Sequence, residues 1–134
     1  EGNQLDGTLP EEYGELTKLT SLYFESNRFE GFLPSSYGNL TNLVNLFVNN
    51  NRLSGTVPTE YSALTNLKYF WFHGNILTGN VDEFCDSYLW MNDTDLRSDC
   101  LRNDADGAPA QIECSCCSSC CDSNGTDCVA NTQY

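Results

Sequence analysis

The chain has 134 residues, 19 acidic groups against 6 basic ones and a net charge of −13, the size of about one ordinary domain. That balance excludes a nucleic-acid partner, because phosphate binding is driven by lysine and arginine releasing counterions. No run of about 20 apolar residues exists to span a membrane, and the opening Glu1-Gly2-Asn3-Gln4 is not a secretory apolar segment.

The cysteines divide the chain. None of the eight occurs before residue 85, so residues 1–84 form a cysteine-free zone and 85–134 a cysteine-dense one. A cysteine-dense zone of about fifty residues builds little apolar core and needs disulfides or metal to hold a shape.

Residues 1–84 repeat with a period of 24. Asn3, Asn27, Asn51 and Asn75 fall in register, as do Gly7, Gly31, Gly55 and Gly79, then Pro10, Pro34 and Pro58, then Tyr13, Tyr37 and Tyr61. The apolar columns are Leu16/Leu40/Leu64, Leu19/Leu43/Leu67, Leu22/Leu46/Phe70 and Phe24/Val48/Phe72. Self-similarity at this spacing is the mark of a solenoid. Leu22-Tyr23-Phe24, Leu46-Phe47-Val48 and Phe70-Trp71-Phe72 alternate as short strands, two side chains inward and one outward. The asparagine that follows turns the chain, and its amide satisfies backbone groups otherwise orphaned inside the coil, so that successive asparagines stack as a ladder. Gly-x-Leu/Val-Pro marks a second turn, with glycine allowing unusual backbone angles and proline fixing φ.

The pattern L-x-x-L-x-x-L-x-F/V-x-x-N-x-L/F-x-G-x-L/V-P resembles the plant-type leucine-rich repeat over about residues 1–84. The resemblance implies an α/β solenoid: a short right-handed arc with a concave parallel β-sheet and a second short strand near the Gly-x-Leu-Pro segment. It also implies binding of proteins, peptides or glycans rather than catalysis. The array carries three strand-bearing repeats and begins at the asparagine column, with no strand or cap before Asn3. An uncapped end exposes apolar surface and unpaired backbone, so earlier repeats or another molecule are expected to cover it.

The period fails at Asp82, where proline is due, and Cys85 replaces the column tyrosine. Phe84, Tyr88 and Met91 share helical spacing and predict one short amphipathic helix; residues 95–100 read as a final edge strand. Cys100 follows, then Cys114, Cys116, Cys117, Cys120 and Cys121 within eight residues, then Cys128. Cys116 or Cys117 with Cys120 has spacing seen in Zn²⁺ sites. The even count and the extracellular type of repeat favour four disulfides instead, with pairing open among about 105 arrangements. Three N-glycosylation sequons, at Asn39, Asn92 and Asn124, agree with secretion. Phe84-Cys85 through the cysteine run is similar to the C-terminal module of secreted, diatom-type algal leucine-rich-repeat proteins, which implies a disulfide-rich cap and a secreted, wall- or matrix-associated setting.

The candidate binding surface is the outward side of the strands. Tyr23, Phe47 and Trp71 hold equivalent positions in consecutive repeats and predict one aromatic column with rows about 4.8 Å apart. Ser21, Asn45 and Tyr69 flank it on one side, Glu25, Asn49 and His73 on the other. Such a stripe suits a sugar face or an apolar peptide edge, and its bland alternative is cross-strand packing that stiffens the sheet. His73 is the only histidine, and no base–nucleophile set surrounds it; it is read as solvated or ligand-contacting, and the chain as non-enzymatic. No cofactor is called for. The segments Asp104-Ala105-Asp106-Gly107 and Asp122-Ser123-Asn124-Gly125-Thr126-Asp127 are only fragments of oxygen-ligand loops, a weak case for Ca²⁺. Two functions follow as expectations: a recognition or adhesion module working through the concave face, or a glycosylated subunit stacking head-to-tail into an extracellular filament through the uncapped end.

Overall fold

A computed structural model of the chain describes residues 2–85, 95–98, 112–114, 117, 119–121 and 128–130. In chain order the strands among these are β1 (Asp6–Thr8), β2 (Ser21–Tyr23), β3 (Arg28–Phe32), β4 (Asn45–Phe47), β5 (Arg52–Gly55), β6 (Tyr69–Trp71), β7 (Ile76–Leu77) and β8 (Gly79–Asn80). They are followed by β9 (Asp95–Ser98), β10 (Ile112–Glu113), β11 (Ser119–Cys121) and β12 (Cys128–Ala130). Each repeat adds one rung to each of two parallel sheets. The long sheet runs β12-β11-β9-β6-β4-β2, with only its β11–β12 pair antiparallel, and the second runs β1-β3-β5-β7. A 3-10 helix links the two in each repeat: Glu11–Glu15, Ser35–Asn39 and Thr59–Ala63.

The core lies between the sheets. Leu22, Leu46, Phe70 and Leu96 stand in register on successive rungs of the long sheet, and each is 7% exposed or less. Tyr37 and Tyr61 are buried too, and each hydroxyl donates to the proline carbonyl one repeat earlier, Tyr37 to Pro10 at 3.0 Å and Tyr61 to Pro34 at 3.1 Å. Burial pushes both phenols well above the usual tyrosine range, with a smaller push from neighbouring tyrosine and glutamate side chains. The 3-10 helices stack so closely that a Cβ on Gly38 would lie 2.6 Å from the Glu60 carbonyl oxygen.

The asparagine ladder exists and its bonding is specific. Asn51 Nδ2 donates to the carbonyls of Val48 in its own row, 3.0 Å, and Phe24 in the row before, 2.9 Å, while its Oδ1 accepts from Phe29 N at 3.0 Å. Asn75 repeats this with Phe72, Val48 and Leu53, so the amides bridge rows through backbone rather than through one another. The turn itself belongs to the residue before: Ser26, Asn50 and Gly74 take φ of 57°, 56° and 66°, the left-handed region that favours short polar residues and glycine.

The second short strand expected near Gly-x-Leu/Val-Pro is present, and Gly31 and Gly55 lie within it at φ 82° and 79°, a positive φ that glycine allows. The strand expected over residues 95–100 as the final edge is Asp95–Ser98 and is neither final nor an edge, because Ser119–Cys121 pairs alongside it in parallel and Cys128–Ala130 beyond that. The helix at Phe84 is described over Asp82–Cys85, while Tyr88 and Met91 lie outside the described residues.

Candidate functional site

The register of the long sheet builds the candidate surface directly. Tyr23, Phe47 and Trp71 occupy matching positions on adjacent rungs, and β9 extends the row with Arg97. The Tyr23 and Phe47 rings are 5.2 Å apart at 51°, and Phe47 and Trp71 stack at 4.3 Å and 12°. Arg97 closes the column, its guanidinium carbon 4.2 Å from the Trp71 ring centroid. Asp95 holds both last members: it accepts from Trp71 Nε1 at 3.2 Å and pairs with Arg97 at 2.9 Å. Tyr23 is 52% exposed, and Phe47 and Trp71 are half-buried. The column thus combines the cross-strand packing and the solvent-facing stripe that the sequence posed as alternatives.

The flanks differ from each other. Ser21, Asn45 and Tyr69 remain accessible, Asn45 Nδ2 donating to Ser21 Oγ at 2.8 Å. On the other side Asn49 and His73 are buried, at 7% and 6% exposure, and Glu25 is half-buried. Of the two readings of His73, solvated or ligand-contacting, its burial removes the first. Alternation alone points these residues outward, but the chain turns one residue later and neighbouring turns stack tightly: Asn50 packs so close to Gly74 that a Cβ there would collide with it. Glu25 Oε2 and Asn49 Oδ1 are buried without a hydrogen-bond partner among the described residues.

Arg97 and Asp95 are functional candidates that the period of 24 misses, because the pairings Tyr69↔Asp95 and Trp71↔Arg97 carry an offset of 26. The signal lay in Leu96, whose place in the apolar column under Phe70 sets the true register.

Beyond the last rung, Cys114 and Cys117 form a disulfide, and the buried Ser98 hydroxyl lies 3.2 Å from Cys117 Sγ. These two cysteines are therefore not zinc ligands. Cys85, Cys120, Cys121 and Cys128 belong to described backbone elements; Cys100, Cys116, Asn92, Asn124 and both acidic loop segments lie outside the described residues. Asn39 is exposed. At the first repeat, Tyr13 and Leu16 are 38% and 50% exposed, whereas their counterparts Tyr37 and Leu40 are fully buried. An open hollow of about 400 Å³ there is lined by Glu15, Leu16, Thr17, Lys18 and Leu19. Among the described residues no helix is long and apolar enough to cross a membrane.

The family model described as Leucine Rich Repeat matches residues 18–40 and 42–64. Among solved structures, the BIR2 ectodomain from Arabidopsis thaliana is similar, with 31% identity and a TM-score of 0.61 over 72% of this chain and 50% of that one. The plant peptide hormone receptor RGFR1 in complex with RGF2 gives 31% identity and a TM-score of 0.64 over 72% of this chain and 16% of that one. The BIR3–SERK2 complex from Arabidopsis thaliana gives 28% and 0.59 over 62% of this chain and 45% of that one. The chain therefore spans half or less of the length of each of these proteins. No curated protein matches it. The protein carries leucine-rich repeats and folds as the leucine-rich-repeat solenoid of these plant ectodomains.

Proposed function

We propose that this chain is an extracellular, non-enzymatic recognition module whose long sheet holds a peptide or a partner protein. The observation that carries the reading is the column Tyr23–Phe47–Trp71–Arg97, an ordered apolar ridge on the outward side of a regular sheet. Aromatic side chains supply large contact area at low conformational cost, and rows of them mark binding surfaces. The similarity to a peptide hormone receptor solved with its partner supports the same use of the fold here. The Cys114–Cys117 disulfide and the exposed sequon asparagine Asn39 support an extracellular setting, as does the likeness of the cysteine run to secreted diatom-type algal proteins. In this reading residues 85–134 close the array as a disulfide-bonded cap, and their sequons with Asn39 carry glycans.

The test is an unbiased selection of ligands. A phage-displayed library of short random peptides and a glycan array are screened against the chain, and every hit is re-measured on Phe47→Ala and on Phe32→Ser, a change on the second sheet where Phe32 is 71% exposed. Hits should weaken about tenfold or more on Phe47→Ala and hold on Phe32→Ser. Equal binding to all three proteins would overturn the reading.

A second reading, assembly of copies into an extracellular filament, has one observation in its favour: the exposed Tyr13 and Leu16 edge. Concentration-dependent association in sedimentation equilibrium, abolished by Leu16→Glu, would support it; a monomer at every concentration removes it.

A further inference from the structure

We infer that the ligand of the long sheet is an extended peptide with an apolar and a basic side chain two residues apart, and not a sugar; this rests on the recognition reading above. The first argument concerns ring faces. A sugar packs its C–H bonds flat against the electron-rich face of an aromatic ring. By strand order, β6 lies between β4 and β9, so Trp71 carries Phe47 at 4.3 Å on one side and the Arg97 guanidinium at 4.2 Å on the other. Phe47 in turn lies between Trp71 and Tyr23. The inner faces of the column are taken. Tyr23 ends the column and is 52% exposed, but along Phe47 and Trp71 what points outward is a ridge of ring edges, whose positive rims accept alkyl and aromatic side chains and give a sugar no continuous platform.

The second argument comes from the neighbouring column. Glu25 Oε2 and Asn49 Oδ1 are buried and have no hydrogen-bond partner among the described residues, and Asn49 as a whole is 7% exposed. Ser26 N donates to Asn49 O at 3.0 Å and Phe24 N to Phe47 O at 2.8 Å, which places Glu25 and Asn49 beside each other on adjacent rows. Both oxygens only accept hydrogen bonds, and their complement is a group with several donors and a positive charge: the three N–H of a lysine ammonium or the five of an arginine guanidinium. The net charge of −13 draws such a group in.

The spacing joins the two arguments. Phe47 ends β4 and Asn49 lies two residues further on, where Val48 N and Asn50 N still bond the next row at 2.9 Å; two extended residues span about 6.8 Å, the same distance that separates side chains i and i+2 of an extended peptide. One peptide lying along the strand axis, in either sense, therefore sets an apolar group on the ridge and a basic group two residues away at the Glu25–Asn49 oxygens.

The peptide library and the glycan array described above decide the matter. Selected peptides should be enriched in lysine or arginine two residues from an apolar position. A synthetic peptide from that set, titrated calorimetrically, should lose about tenfold in affinity when its basic residue becomes glutamine or when Glu25→Gln is made, and Glu25→Gln should flatten its salt dependence. Asn49→Leu should weaken binding as well, with circular dichroism unchanged. Peptides with no basic enrichment, or affinity indifferent to Glu25→Gln, would overturn the inference. So would sugars that bind and depend on Phe47, an outcome that leaves the recognition reading standing. Hits that ignore Phe47 altogether bring down that reading first.

Discussion

Two polar columns run side by side through the repeats, two residues apart in sequence, and they are handled in opposite ways. Asn51 and Asn75 each donate to carbonyls of two rows and accept a backbone N–H from a third segment. Asn49, the same residue type two positions earlier, is as deeply buried as the ladder but has an Oδ1 without a partner, as does Glu25 in the row before. Burial does not separate the two asparagine columns here; the completeness of the bonding does. A buried acceptor left without a donor costs about 1–3 kcal/mol. The repeat completes one column and leaves Glu25 and Asn49 of the next incomplete, on the flank where we propose that a basic group binds.

The sharpest way to break that comparison is to truncate the satisfied column. Asn51→Ala removes two donors and one acceptor that tie neighbouring rows, leaving the Phe29 N–H and the Phe24 and Val48 carbonyls short of partners. The expected cost is about 3–4 kcal/mol, read from urea denaturation of the intact chain, with Asn75→Ala close behind. A cost under about 1 kcal/mol for both would show that the ladder is not what holds the rows.

Row spacing offers the next test, because the ladder depends on it. In Gly38→Ala the new methyl meets the Glu60 carbonyl oxygen at 2.6 Å and Glu60 Cβ at 2.7 Å, so two 3-10 helices must separate. Overpacking of this kind costs about 2 kcal/mol. The matching position of the third repeat is already Ser62, which is exposed, so Ser62→Ala should change stability little. Equal effects at both positions would contradict the close stacking.

Tyr61 extends the comparison to a third, fully satisfied column. Its hydroxyl is buried and donates to Pro34 O at 3.1 Å, and burial raises its pKa well above the ordinary value. The folded chain therefore keeps the proton while the unfolded chain releases it above about pH 10. This contribution is complete below pH 10 and falls as pH rises beyond it, by up to about 1.4 kcal/mol per unit for one tyrosine. Tyr37 is shifted in the same direction. Tyr61→Phe should cost about 1 kcal/mol at neutral pH and roughly halve the alkaline slope of urea midpoints. An unchanged slope would refute the assignment.

How much of this was legible follows from what periodicity encodes. The solenoid, its inward leucines, the bridging asparagines and the aromatic column all sit at a spacing of 24, so a single shift of the sequence aligns them. Arg97 and Asp95 do not, because two extra residues precede β9 and the period points at the wrong partner for Trp71. The burial of Asn49 and His73 was illegible for a different reason: strand alternation fixes direction, whereas burial depends on how neighbouring rows pack, which one row's sequence does not state. The second strand of each repeat follows from the resemblance to the plant-type repeat and not from its glycine and proline, which by themselves read as a turn. The Cys114–Cys117 bond could not be chosen by spacing among so many cysteines.

The smallest expected effect is also the most discriminating. Asn49→Leu replaces a buried amide whose oxygen has no partner by an apolar group of similar volume. The lost dipole removes an unmet desolvation cost, and the added methyl groups gain a little burial. Stability should thus stay within about 0.5 kcal/mol of the parent or rise slightly, against the loss of several kcal/mol in Asn51→Ala. The two substitutions lie two residues apart in one turn, so general disturbance of the backbone would move both. If Asn49→Leu destabilised the chain as strongly as Asn51→Ala, Asn49 would be a structural residue whose partner is satisfied in solution. Its neutrality would make the variant a clean probe, because a weakened ligand could then be traced to the missing oxygen and not to a loosened sheet.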